Sequence, residues 1–206
     1  EAAAQTKREQ AGNGFECAIV GVEPDNGYIR AMVGGTDYDA NQVNMATGEG
    51  SSGRQPGSSF KTFTLAAAIE AGIDPETLID AGYSVTPDGA PTVHNASMAD
   101  YGARSIASAF AVSSNTAFTR LILSLGTDKV KNMAKRLGVT SNIQDVAGIT
   151  LGIDSVTPLE MADAYATIAN GGTHYDPECI ITIKDRSGNI LVDNEHPEGE
   201  RVISEE

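Results

Sequence analysis

The spacing of apolar and polar positions changes twice along the chain, and these changes predict the order of its elements. Near the N-terminus, FECAIVGVEP (15–24) and YIRAMVGG (28–35) show the short apolar runs that are typical of strands. The DNG sequence at 25–27 is a strong tight-turn signal, so these two runs predict an antiparallel hairpin. Near the C-terminus, ECIITIKD (178–185) and NILVDN (189–194) predict a second hairpin across three turn-forming residues.

Between the two hairpins, the spacing of apolar positions becomes helical. The segments with this spacing are SSFKTFTLAAAIEAG (58–72), SIASAFAVSS (105–114), TAFTRLILSLG (116–126), DKVKNMAKRLG (128–138) and TPLEMADAYATIANGG (157–172). The last is the best specified, because Thr157 and Glu160 have the spacing of a capping box. Ser58 or Ser59 is predicted to cap the first. Residues 73–103 contain three prolines and are predicted to be mostly loop.

This order of strands, then helices, then strands predicts an α+β domain with an antiparallel sheet and a helical lobe. Residues 1–12 are interpreted as a linker or the end of a helix, and residues 13–206 as the domain itself. Residues 36–57 are rich in Gly, Ser, Asn and Asp and predict a long loop. A loop of this length inside a compact domain is usually functional.

Composition narrows the classes of function. The 206 residues carry a formal net charge of -14, which argues against nucleic acid as a partner, because phosphate binding needs clustered Lys and Arg. No apolar run approaches the ~20 residues of a membrane span. Cys17 and Cys179 are far apart in apolar runs and predict two buried free thiols, with a disulfide between them as the alternative. The histidines fit no metal-binding spacing; they are His94, His174 and His196.

Candidate chemistry begins in GRQPGSSFKTF (53–63), where Ser58 is followed three residues later by Lys61. Positions i and i+3 of a helix lie on one face, so Oγ and Nζ can come within hydrogen-bond reach. A serine hydroxyl needs a nearby base, and a lysine serves as one when burial lowers its pKa. The alternative is a capping serine beside a solvated lysine, since S-x-x-K by itself is a very weak signal.

A second element, Ser113-Ser114-Asn115, has the form S-x-N and interrupts the helical pattern. A turn at this point would direct a hydroxyl and an amide into one cleft, whereas Ser114 and Ser59 are expected to point elsewhere. S-x-x-K followed downstream by S-x-N is the signature of serine penicillin-recognising enzymes. The alternative is a helix-ending serine pair with a capping asparagine.

Four separated blocks in the right order resemble the transpeptidase domain of penicillin-binding proteins. RQPGSSFKTF is similar to the nucleophile segment of that family, and the S-x-N element follows it. IRAMVGGTDY with VNMAT resembles the start of the transpeptidase domain in the bifunctional, class A members, and LGIDSVTPLEMADAYATIANGG resembles the helix after S-x-N. The resemblance covers roughly residues 13 to 206.

The resemblance implies a D,D-transpeptidase domain that cross-links peptidoglycan stem peptides without a cofactor or metal. It implies that Ser58 attacks the D-Ala-D-Ala carbonyl and that Lys61 accepts the proton. It further implies that Ser113 relays the proton to the leaving D-Ala and that Asn115 holds a substrate amide. Penicillin and other β-lactams would acylate the same serine. The implied location is outside the cytoplasmic membrane, with a membrane anchor and a glycosyltransferase domain upstream.

The family's third motif, K-[ST]-G, does not occur in the sequence. The resemblance therefore predicts that these residues form the N-terminal part of the domain, with a further segment supplying the remaining strands. A sheet edge and apolar surface are expected to lie uncovered. The chain alone is expected to acylate slowly or not at all, because the third motif adjoins an oxyanion donor, and one such donor is commonly worth about 10²-fold or more.

Three other functions are open to the same sequence. A β-lactam sensor or non-catalytic penicillin-binding module would share the serine and lysine. A serine β-lactamase would also need a base for deacylation, and the E-x-x-L-N stretch that supplies it in class A β-lactamases is absent. A purely structural acidic domain would have to produce four ordered blocks by coincidence.

Overall fold

The computed structural model describes residues 2–12, 15–35, 37–39, 41–48 and 53–205. The α-helices are α1 (Ala2–Ala11), α2 (Lys61–Glu70), α3 (Ile106–Ala111), α4 (Asn115–Leu125), α5 (Thr127–Arg136) and α6 (Pro158–Ala169). The strands are β1 (Ile19–Val22), β2 (Ile29–Val33), β3 (Leu78–Asp80), β4 (Ser84–Val85), β5 (Val93–His94), β6 (Ala103–Ser105), β7 (Thr173–His174), β8 (Thr182–Lys184), β9 (Ile190–Asp193) and β10 (Glu200–Arg201). The predicted α+β class is confirmed.

The chain forms two compact units, one from residues 1–54, 136–141 and 156–206 and one from residues 55–135 and 142–155. In the first unit, β1 and β2 form the predicted hairpin, and α6 packs against β1. The second predicted hairpin is β8 with β9. The Tyr28 hydroxyl joins the two hairpins by donating to the Asn194 carbonyl at 2.6 Å.

The second unit is built around α4, which packs against α2, α3, the β3–β6 and β4–β5 pairs and a 3-10 segment, Ala147–Leu151. These four short strands lie within residues 73–103 or directly after them, where the sequence predicted mostly loop, so that prediction was wrong in part. Strands of two or three residues carry too few positions for an alternating pattern to show. The predicted break between α3 and α4 is confirmed at residues 112–114.

In the described residues the strands form separate antiparallel pairs. The single antiparallel sheet that the sequence predicted is therefore divided into these two-stranded sheets. β1 and β2 have no third strand there beyond an isolated bridge from Tyr28 to Glu178. The β8–β9 hairpin exposes apolar side chains, with Ile190 at 54% and Leu191 at 65%. The expected open edge and uncovered apolar surface are therefore both present.

Several local predictions have mixed outcomes. The capping box is confirmed, because Thr157 accepts from the Glu160 amide while Glu160 accepts from the Thr157 amide.

Both cysteines are free, as predicted, but neither is buried: Cys17 is half-buried and Cys179 is exposed. Both cysteines lie outside the strands, Cys17 before β1 and Cys179 before β8. The predicted loop 36–57 lies partly outside the described residues, at 36, 40 and 49–52. No helix of the described residues is long and apolar enough to cross a membrane.

Within the first unit, α6 and β7 are joined by a largely buried ion pair in which His174 Nε2 lies 2.9 Å from Asp163 Oδ2. The hydrogen bond to Asp163 raises the pKa of His174 above 6.5, with Asp176 and Glu200 acting in the same direction and burial opposing them. The pKa of Asp163 is also raised above its ordinary value of 3.8, and there the cause is burial.

The raised pKa of His174 predicts that stability falls as pH rises. A group whose pKa is raised by folding contributes stability below its unfolded value, and that contribution is lost through the folded value. The stability that His174 contributes should therefore be smaller at pH ~8.5 than at pH ~6, which bracket the ordinary histidine pKa. His174→Gln retains a hydrogen-bond donor but does not titrate, so it should flatten this dependence, whereas exposed His196→Gln should not. Equal pH dependence in all three chains would contradict the prediction.

Candidate active site

The entry of the chain into α2 places Ser58 next to Lys61. A 3-10 turn, Gly57–Phe60, precedes the helix, and no side chain caps either element. The predicted capping by Ser58 or Ser59 is therefore wrong: Ser59 Oγ donates to the Pro56 carbonyl at 2.7 Å, and Ser58 Oγ lies 3.1 Å from Lys61 Nζ. Ser58 is exposed, so its hydroxyl is open to an approaching substrate.

A second turn, between α3 and α4, brings the S-x-N element to the same amine. Lys61 Nζ lies 3.0 Å from Ser113 Oγ, 2.7 Å from the Ser113 carbonyl oxygen and 2.8 Å from Asn115 Oδ1. Ser113 has a φ of 54°, in the left-handed region that non-glycine residues rarely adopt. Ser114 points elsewhere, as expected, because its hydroxyl is buried and caps α4 at the Ala117 amide. The structure thus brings Ser58, Lys61, Ser113 and Asn115 together.

Lys61 is buried, with 1% of the residue exposed. The Phe118 ring forms one apolar wall, with its centroid 5.9 Å from Nζ. Burial lowers the pKa of Lys61 from 10.5 to about 8, because a desolvated ammonium is disfavoured. Near neutral pH a measurable fraction of this amine is therefore uncharged.

The oxygen atoms around Nζ suit the uncharged amine. Two of them, the Ser113 carbonyl oxygen and Asn115 Oδ1, can only accept hydrogen bonds. A neutral amine can donate its two protons to these oxygens and direct its lone pair at a hydroxyl. Ser58 Oγ, at 3.1 Å, is within reach of that lone pair. The arrangement can therefore take a proton from Ser58, and Ser113 Oγ is within reach to pass it on.

Sequence reasoning missed the residues that support the S-x-N turn. Asn115 Nδ2 donates to the His94 carbonyl at 3.0 Å, and the next residue, Asn95, is buried against Ser114 and Thr116. Both His94 and Asn95 lie in the segment predicted to be loop. No periodicity or spacing signal there distinguishes them from other polar loop residues. In the described residues, no cluster of His, Cys, Asp and Glu could hold a metal ion.

A close approach of two glycines positions the turn before α2. Gly152 has a φ of 66°, and a Cβ there would lie well inside van der Waals contact of the Gly57 oxygen and nitrogen. Gly152→Ala should therefore displace the Gly57–Phe60 turn and the Ser58 hydroxyl with it. We expect a loss of stability of about 1–3 kcal/mol from overpacking, beyond the left-handed strain, together with slower reaction of Ser58.

Gly89→Ala is the matched control for this substitution. Gly89 has a φ of 72°, and a Cβ added there would meet no atom within 4 Å, so alanine adds the same backbone strain without a clash. The difference between the thermal midpoints of the two variants gives the effect of the steric clash apart from that of the backbone strain. The prediction is wrong if Gly152→Ala and Gly89→Ala lower the thermal midpoint equally and leave the reactivity of Ser58 unchanged.

Comparison with known proteins places the chain and its fold in one family. Residues 17–206 match the family model described as the penicillin-binding protein transpeptidase domain. Among solved structures, the penicillin-binding protein PonA1 from Mycobacterium tuberculosis superposes with a TM-score of 0.87 at 30% identity, over 99% of this chain and 55% of that one. The same protein in complex with penicillin V superposes with a TM-score of 0.85, also at 30% identity, over 100% of this chain and 57% of that one.

Among curated proteins, penicillin-binding protein 2D of Bacillus subtilis (strain 168) is 31% identical over 195 residues. That match covers 92% of this chain and 28% of the relative, so the chain spans little more than a quarter of the relative's length. The fold class is that of the penicillin-binding protein transpeptidases. The chain belongs to the penicillin-binding protein transpeptidase domain family, which confirms the resemblance noted in the sequence.

Proposed function

We propose that this chain is a serine acyl-transferase domain that cross-links peptidoglycan stem peptides ending in D-Ala-D-Ala. The observation that carries the proposal is the 3.1 Å distance between Ser58 Oγ and the buried Lys61 Nζ, whose pKa is lowered to about 8. Family membership supports transpeptidation as the type of chemistry. The penicillin V complex of the PonA1 neighbour supports β-lactam binding, which we assign to Ser58.

The proposed reaction follows from the contacts. Lys61 Nζ takes the Ser58 proton as Oγ bonds to the penultimate D-Ala carbonyl carbon. Ser113 Oγ, 3.0 Å from Nζ, passes a proton to the leaving amine as the C–N bond breaks and D-Ala departs. An amine of a neighbouring stem peptide then attacks the ester, forms the new amide and returns Ser58 to its hydroxyl form. Asn115 is proposed to hold a substrate amide beside this centre.

With a β-lactam, the same serine attacks the ring carbonyl and the ring C–N bond breaks. The nitrogen side of that bond remains attached to the rest of the drug. No small leaving group departs, so the product is a lasting ester at Ser58. The sequence contains no K-[ST]-G motif, so we propose that acylation by these residues alone is slow. The open edge of the β1–β2 pair supports a further strand-forming segment as partner, and residues 13–206 are proposed to be the N-terminal part of the complete domain.

The proposed location is outside the cytoplasmic membrane, because peptidoglycan lies there. Curated relatives that match include penicillin-binding proteins 1A and 2D, which agrees with the bifunctional class A type. A membrane anchor and a glycosyltransferase domain upstream of these residues are part of the same proposal.

Intact mass after prolonged incubation with penicillin tests this function. The parent chain should gain the mass of one drug molecule. The adduct should map to the tryptic peptide Gln55–Lys61, which follows Arg54 and contains both Ser58 and Ser59. Ser58→Ala should abolish the gain, whereas Ser59→Ala should retain it. An adduct that persists in Ser58→Ala would overturn the proposal. If the parent gains no mass, the same measurement on a longer chain that carries a K-[ST]-G segment decides, and no gain there would also overturn it.

Two further assays separate the related functions. Transfer of a stem-peptide mimic to an acceptor amine is expected of a transpeptidase. Acylation without such transfer would favour a β-lactam sensor. Steady turnover of a chromogenic cephalosporin would favour a β-lactamase, which must activate a water to release the ester.

A further inference from the structure

Asn95 is a buried amide that joins two parts of the second unit. It follows β5 and is 3% exposed. Its Nδ2 lies 3.0 Å from the Ala81 carbonyl oxygen, 3.2 Å from that of Gly82 and 3.0 Å from that of Ala99. A buried amide nitrogen surrounded by three backbone acceptors is firmly oriented, because each lost contact would leave a desolvated polar group.

The other end of the same side chain is directed at the S-x-N turn. Asn95 Oδ1 accepts from Ser114 Oγ at 2.9 Å, from the Thr116 amide at 3.2 Å and from Thr116 Oγ1 at 3.2 Å. The neighbouring His94 carbonyl accepts from Asn115 Nδ2 at 3.0 Å. The residues that follow Ser113 in the turn are thus anchored to residues 94 and 95.

The turn needs such anchors because its backbone is strained. Ser113 adopts a φ of 54°, and a non-glycine residue keeps such a conformation only when its surroundings determine it. The strain has a consequence at the amine, since Ser113 presents both its carbonyl oxygen and its Oγ to Lys61 Nζ in this conformation. A relaxed turn would withdraw both oxygens.

We propose that Asn95 is a positioning residue that fixes the Ser113–Asn115 turn around Lys61 Nζ. Its hydrogen bonds go to the turn and to residues 81–99, so it acts on Lys61 and Ser58 through the turn. The importance of Asn95 for catalysis rests on the proposed function, in which Lys61 is the base for Ser58. The effect of Asn95 on the geometry around Lys61 does not depend on that function.

Loosening the turn should change the titration of Lys61. The turn covers the amine, and burial is the cause of its lowered pKa. When the turn relaxes, water reaches Nζ and the ammonium form is favoured again. Asn95→Ala should therefore raise the pKa of Lys61 by about 1 unit or more, toward that of an exposed lysine.

Carbon-detected NMR titration of the chain labelled with ¹³C at lysine Cε tests this directly. The sequence has six lysines, and the Lys61 signal is assigned by its loss in Lys61→Arg. The titration is compared in the parent, in Asn95→Ala and in Val130→Ala. Val130 is fully buried on α5, and its apolar side chain makes no hydrogen bond to the turn, so its truncation lowers stability without loosening the site.

Thr116→Val provides a milder variant should Asn95→Ala fail to fold. It keeps the side-chain shape and removes only Oγ1, whose proton is shared between the Gly82 carbonyl oxygen at 2.8 Å and Asn95 Oδ1 at 3.2 Å. A smaller rise in the Lys61 pKa is expected there. A Lys61 titration unchanged in every folded variant that loses a bond to Asn95 overturns the inference, as does an equal shift in Val130→Ala.

Penicillin acylation, followed by mass, then separates this inference from the proposed function. If Ser58 of the parent is acylated, Asn95→Ala should slow the reaction about 10–100-fold and move the acid limb of its pH profile upward, while Val130→Ala does neither. If the parent is not acylated but the titration shifts, the positioning role of Asn95 stands, and the proposed function is decided on the longer chain that carries a K-[ST]-G segment. If the parent is acylated and neither readout moves in Asn95→Ala, only the positioning role fails.

Discussion

Replacement of Lys61 by methionine is expected to slow acylation of Ser58 by penicillin about 10²–10⁴-fold, the range by which a positioned base accelerates proton transfer. Methionine retains the length and apolar stem of lysine within the pocket beside Phe118, but it has no proton-accepting amine. Ser58 would then have no base within hydrogen-bond distance among the contacts described for it.

The pH dependence of acylation provides a second and more specific test of the role of Lys61. In the proposed role of Lys61 as the base, the active species is the neutral amine, so the rate in the parent should rise as pH increases and level off above about 8. In Lys61→Met this limb should disappear. Mass measurements at a series of pH values provide the rates. Lys135→Met, which replaces an exposed lysine on α5, is the matched control and should behave as the parent. A preserved limb in Lys61→Met would assign the base elsewhere.

Removal of the Glu160 carboxylate is expected to destabilise the first unit by about 3–5 kcal/mol, a cost typical of deleting one member of a buried charged network. Oε1 accepts from the Thr140 amide at 2.9 Å, from Thr140 Oγ1 at 2.8 Å and from the Ser141 amide at 2.5 Å. Oε2 accepts from Ser141 Oγ at 2.8 Å and from the Thr157 amide at 2.7 Å. Glu160→Ala leaves these donors without their acceptor.

Thermal unfolding measures this loss, with a fall in the midpoint of roughly 6–20 °C expected for a chain of this size. Glu198→Ala removes an exposed carboxylate of the same unit and should change the midpoint little. Glu160→Gln keeps the shape but turns an amide NH₂ toward donors, so it should also be destabilised. A midpoint for Glu160→Ala equal to that of Glu198→Ala would refute the structural role of this network.

The stabilisation by Glu160 should also depend on pH. Burial acts to raise the pKa of this carboxyl, but hydrogen bonds from Thr157, Thr140 and Ser141 outweigh burial and lower it below 4.5. A carboxyl whose pKa is lowered by folding contributes stability above its unfolded value and loses it as pH falls through the folded value. The difference between parent and Glu160→Ala should therefore shrink in strongly acidic solution.

Much of the fold could be predicted because its signals are local. The capping box at Thr157 and Glu160 involves residues three apart, and the 25–27 turn sets the β1–β2 hairpin, so short windows of sequence specify both. The four short strands between Leu78 and Ser105 could not be predicted in this way. Their pairing is decided by packing against α4, and residues far apart in the sequence contribute to it.

The sequence by itself determined which side chains meet at the start of α2, because Ser58 and Lys61 are three residues apart and one turn brings them together. It also determined the family, through four ordered blocks. Only the tertiary structure decided that Lys61 is buried, that Ser113 and Asn115 meet its amine from more than fifty residues away, and that Asn95 supports their turn. The physical reason is that burial and long-range hydrogen bonds depend on how distant segments pack, and no local pattern of residues encodes that packing.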